Sequence, residues 1–105
     1  MNIYNILDES YKQILCIFYD LKSQKNLKFF VINYDKLQKI LSTFEHNFNI
    51  IINNNSISSS DLNKILLLKE NVNLIKQKNL FEINKNFNCD DLIEYRILSY
   101  FGDLI

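Results

Sequence analysis

One glycine, Gly102, and no proline punctuate the 105 residues of this chain, and alanine is missing as well. Backbone that turns sharply or closes tightly around a ligand relies on glycine, so a glycine-rich loop cradling phosphate is excluded. Arg96, the single arginine, excludes repeated bidentate clamps on phosphate or carboxylate groups. The scarce residue types share G/C-rich codons, whereas the abundant Ile, Asn, Lys, Phe and Tyr share A/T-rich ones. Base composition therefore accounts for both, and the Asn and Lys counts carry no functional weight.

With 48% hydrophobic and 13% aromatic residues the chain has the material for a real core, and its length fits one domain spanning residues 1–105. Twelve basic and twelve acidic residues cancel, so no global charge draws it toward nucleic acid or anionic lipid. The distribution is uneven: residues 22–39 hold five lysines against Asp35, a net of +4, and residues 90–103 hold four acids against Arg96, a net of −3. Cys16 lies in an apolar run and Cys89 in a polar stretch, a spacing that fits neither a disulfide framework nor a metal site. Reduced thiols, no signal-peptide pattern after Met1 and no apolar run of membrane-spanning length lead to the expectation of a cytoplasmic, soluble protein without cofactor or metal.

Ile3, Leu7, Tyr11, Ile14, Phe18 and Leu21 recur at helical spacing and predict a first helix, preferred over a strand at residues 14–21. Residues 27–32, rich in aromatic and β-branched side chains, read as a strand. Asp35 and Gln38 fit a capping box opening a helix through Leu37, Ile40, Leu41, Phe44 and Phe48, and Ile50-Ile51-Ile52 reads as a second strand over residues 49–53. After a polar Asn/Ser loop, Ser58 and Asp61 fit another capping box, for a helix ending near residues 69–71. Residues 72–75 and 80–83 read as a hairpin, and Asn88 caps a last helix from Cys89 to about Phe101. The expected class is therefore α+β: a strand-helix-strand unit, a second hairpin and a C-terminal helix packed on the sheet.

No enzyme constellation emerges. Cys89 at a helix start would have its thiolate favoured by free amides, but Asp90 and Asp91 oppose that. The only histidine, His46, sits next to Glu45 at an expected helix end, so a couple with Cys89 would need a tertiary approach and an orienting third group. Asp90, Asp91 and Glu94 share a helix face without the loop carbonyls a Ca²⁺ site draws on, so they read as a solvated acidic face.

Two binding surfaces remain. Lys25, Lys28, Lys36 and Lys39, interleaved with Phe29, Phe30 and Tyr34, form a lysine-aromatic pattern of the kind that binds nucleic acid. Residues 57–66 further resemble the first helix of a winged helix-turn-helix, with residues 74–84 as its wing; the resemblance implies a DNA-binding regulator, but the segment between is too short for a clear recognition helix. On the C-terminal helix, Ile93, Ile97, Tyr100, Phe101 and Leu104 form an expected core stripe. Tyr95 and Leu98, with Asp91 and Glu94, project elsewhere as an acidic, tyrosine-bearing face suited to a protein partner. The preferred reading is a non-enzymatic protein-binding module, such as an immunity protein, antitoxin or phage-type anti-defence inhibitor that occludes a toxin, nuclease or defence enzyme. The alternative is the DNA-binding regulator.

Overall fold

Leu7, Tyr11, Ile14, Phe18 and Leu21 alternate steps of four and three, the spacing that keeps one side of a helix against a neighbour. In a computed structural model, which describes residues 3–54 and 56–104, they line helix α1, Ile3–Ser23. Leu7, Ile14 and Leu21 are fully buried. The same alternation runs through Phe30, Tyr34, Leu37, Leu41, Phe44, Phe48 and Ile51, and it lies on one unbroken helix α2, Leu27–Ile52. A three-residue turn, residues 24–26, folds α2 back along α1, and these two helices share the most extensive contact in the molecule. Short connections of this kind make consecutive helices antiparallel neighbours.

Helix α3, Ser59–Lys76, contributes Ile65, Leu68 and Val72 to the same core. One turn of helix, α4 (Leu80–Ile83), and a C-terminal helix, α5 (Cys89–Leu104), complete the chain. The architecture is all-helical, with no strand among the described residues. The expected α+β class is thereby overturned. Residues 27–32 are the first turns of α2 and residues 49–53 its end. Residues 72–75 finish α3, and residues 80–83 form α4, not the second arm of a hairpin. Tertiary packing overrides the strand propensity of the first three runs because each carries one or two members of a longer helical stripe, while residues 80–83 are a single turn held by Leu80 in the core. Asp35 and Gln38 likewise lie inside α2. Its cap is Asn26, whose side chain accepts from the Phe29 amide at 3.1 Å.

Other local signals match. Ser58 caps α3 by accepting from the Asp61 amide at 3.2 Å, and Ile57 before it packs against the core. Asn88 and Asp91 cap α5 reciprocally, each side chain accepting from the other's amide at 2.9 Å. This arrangement satisfies two amides that the helix start leaves unpaired.

The C-terminal third is fixed to the hairpin at two places. Asn84, 1% exposed, donates from Nδ2 to the carbonyls of Leu21 and Gln24 at 2.7 and 2.8 Å, filling acceptors at the end of α1 that have no intrahelical donor. Its Oδ1 accepts from the Asn86 amide. Beside it, Phe30 of α2 meets Phe81 and Phe87 and Tyr34 meets Phe81, with ring centroids 5.1 to 5.8 Å apart, distances typical of favourable aromatic pairs. On the other side of the bundle, the Glu45 carboxylate of α2 accepts from Lys69 and Lys76 of α3. These two hydrogen bonds lower its pKa below the usual carboxylate value.

Candidate functional surface

Helix α5 touches the rest of the molecule mainly along α2. Leu92 is buried and Tyr95 half-buried on the inward side, and Arg96 reaches across to pair with Asp35 of α2. About 100° per residue carries Ile93, Ile97, Tyr100 and Phe101 round to the outward side. Their exposures are 51%, 50%, 65% and 55%. These are the side chains expected to form the core stripe, and the expectation is corrected: the stripe exists but faces outward. The side chain of Leu104 lies outside the described residues. The inward side is set instead by Leu92, because the segment before the helix is already anchored through Asn84 and Phe87 and so fixes its rotation.

Of the partner-binding residues expected from sequence, Leu98 is 64% exposed and Glu94 is exposed, whereas Tyr95 and Asp91 are half-buried, the latter engaged in the helix cap. The outward surface thus contains Leu98 and Glu94 but is dominated by residues assigned to the core. The signal that separates the two assignments is the pair of aromatic and amide anchors preceding the helix, neither of which periodicity within α5 reveals.

Lys25, Lys28, Lys36 and Lys39 are all exposed. Lys28, Lys36 and Lys39 lie on one side of α2 together with Phe29 and Ile32, which are 53% and 48% exposed. Phe29 is therefore not a core residue, while Phe30 is fully buried. The expected wing at residues 74–84 is the end of α3, a turn and α4. A shallow groove of about 420 Å³ between α1 and α2 is lined by Lys12, Gln13, Cys16, Ile17, Lys36 and Ile40. Cys16 is exposed there, contrary to the burial its apolar neighbours suggest.

For chemistry, Cys89 is exposed at the first position of α5, and His46 is exposed within α2, six residues before its end, not in its last turn. Among the described residues no group of three or more His, Cys, Asp or Glu side chains is arranged to hold a metal ion. No described helix is long and apolar enough to cross a membrane. Compared with protein-family models, curated proteins and solved structures, the chain finds no match in any of the three.

Proposed function

We propose that this chain is a non-enzymatic protein-binding module that engages its partner through the outward face of α5. The observation that carries this reading is the exposure of Ile93, Ile97, Leu98, Tyr100 and Phe101, each half or more uncovered, on one 16-residue helix. Single exposed apolar side chains are ordinary, but a contiguous set on one element marks an interaction surface. Two aromatic rings among them supply large contact area at a small cost in rotamer entropy. Asp90 and Glu94 flank the patch and favour a partner with a basic rim, as a nucleic-acid-binding cleft has. An inhibitor that occludes such a cleft is the form of the reading that fits this charge.

The test is capture from a lysate of the source cell on the immobilised chain, followed by titration of the captured protein against Ile97→Ser and Phe101→Ser variants. Each is expected to weaken binding by about 2 kcal/mol, as a hot-spot truncation does, with the helical circular dichroism unchanged. Equal affinity for both variants and the parent would remove α5 as the binding surface. Sequence-selective DNA binding that survives physiological salt would favour the regulator instead.

A further inference from the structure

The outward strip of α5 and the exposed strip of α2 are complementary in charge, and neither is satisfied within one copy of the chain. On α2, Lys28, Lys36 and Lys39 surround the exposed Phe29 and Ile32. On α5, Asp90 and Glu94 flank Ile93, Ile97, Tyr100 and Phe101. Among the described residues none of these three lysines or two acids forms an ion pair. The pair that does form between the helices, Arg96 with Asp35, uses the one base of α5 and the one acid of the lysine segment. At about 100° per residue, Asp35 lies at the edge of the lysine strip beside Lys28 and Lys39, and Arg96 at the edge of the apolar strip beside Tyr100. The ion pair is therefore the seam at which the two strips meet, side by side on one face.

From this juxtaposition we infer that the face is an interface with a second copy of the chain. A two-fold axis along the seam lays α5 of each copy on α2 of the other, so that Asp90 and Glu94 meet the partner copy's lysine strip twice over. Such an interface is self-complementary, the requirement for a closed dimer. Six half-exposed large apolar side chains, with the lysine stems between them, give a face of the order of the roughly 800 Å² per partner that stable interfaces bury. The net charge of zero adds no long-range repulsion between copies. The inference deepens the protein-binding reading of the same surface: a foreign partner would compete with the dimer by presenting what α2 presents, lysines around an apolar strip. The dimer, however, is a property of this chain alone, so its failure would leave the foreign partner untouched, and the reverse.

Light scattering coupled to size exclusion and sedimentation velocity, run on the full chain over a range of concentrations, test it. The expected result is a reversible species of twice the 12.6 kDa chain mass that weakens as salt rises. Lys36→Glu with Lys39→Glu in one variant, and Asp90→Lys with Glu94→Lys in a second, each place like charges across the interface and are expected to weaken dimerisation at least about tenfold. Mixing the two variants restores opposite charges at both contacts and is expected to return the dimer as a heterodimer. Should either double variant lose its helical circular dichroism, Ile97→Ser in the parent background reads the same interface. A monomer at every concentration, or a dimer indifferent to these substitutions, would overturn the inference.

Discussion

Helices α2 and α5 each carry an apolar stripe, and the molecule treats the two oppositely. In α2 the stripe from Phe30 to Ile51 is buried, with Phe30 and Phe44 fully so, because α1 and α3 cover it. In α5 the stripe from Ile93 to Phe101 is uncovered, because α2 takes the side marked by Leu92. The difference shows that periodicity specifies a face but not its neighbour. A stripe whose neighbour is supplied within the chain stabilises the fold, and one left open is available to another molecule.

Truncation separates the two helices most strongly. Phe44→Ala is expected to cost about 3–5 kcal/mol through lost burial and a residual cavity, whereas Phe101→Ala in dilute solution should change stability by less than about 0.5 kcal/mol. Urea denaturation of the two variants checks both values, and equal losses would mean that α5 is packed in solution. The joint between the regions comes next. Asn84→Ala leaves the buried Leu21 carbonyl without its donor and the part-buried Gln24 carbonyl with only the longer contact from Asn86, and is expected to cost about 1–3 kcal/mol. Hydrogen exchange should show the loss first in the segment between α4 and α5.

Caps sharpen the contrast at smaller amplitude. Ser58→Ala removes the cap of α3, a helix that contributes Ile65, Leu68 and Val72 to the core, and should lower global stability by about 1 kcal/mol. Asn88→Ala removes the equivalent cap of α5, and its effect should appear as faster amide exchange within α5, with little change in the denaturation midpoint, because less of the core depends on that helix. A pH-dependent effect belongs to Glu45. Lys76 and Lys69 hold its carboxylate below the usual value. Its contribution is therefore present above the unfolded-state pKa and lost as pH falls through the lowered folded-state value. The side chain is 37% exposed, so screening limits Glu45→Gln to less than about 1 kcal/mol near neutrality. Denaturation midpoints of Glu45→Gln and parent should converge as the solution is acidified below the carboxylate range.

Much of the helical framework was legible from residues alone. The α1 stripe, the Ser58 and Asn88 caps and the central part of α2 match the sequence expectation, since each rests on contacts within a few residues. The strand assignments failed at residues 27–32 and 49–53 because a short apolar run rich in Phe, Val or Ile is compatible with either structure when considered by itself. The informative signal was longer: Phe30, Tyr34 and Leu37 continue at steps of four and three into Phe44, Phe48 and Ile51, and no glycine or proline interrupts them. The same absence of breakers that excluded phosphate loops also permitted a 26-residue helix.

The residues alone establish that Asn88 caps a helix, that this helix is amphipathic, and that it is acidic where residues 22–39 are basic. Which side of α5 faces inward, and that it lies along α2 with Arg96 paired to Asp35, follow from the packed fold. The two kinds of information differ in range. Caps and stripes arise from hydrogen bonds and packing at separations of three to four residues, which the local sequence contains. The rotation of α5 is set by Asn84 on the carbonyls of Leu21 and Gln24 and by Phe87 against Phe30, contacts between residues more than fifty positions apart.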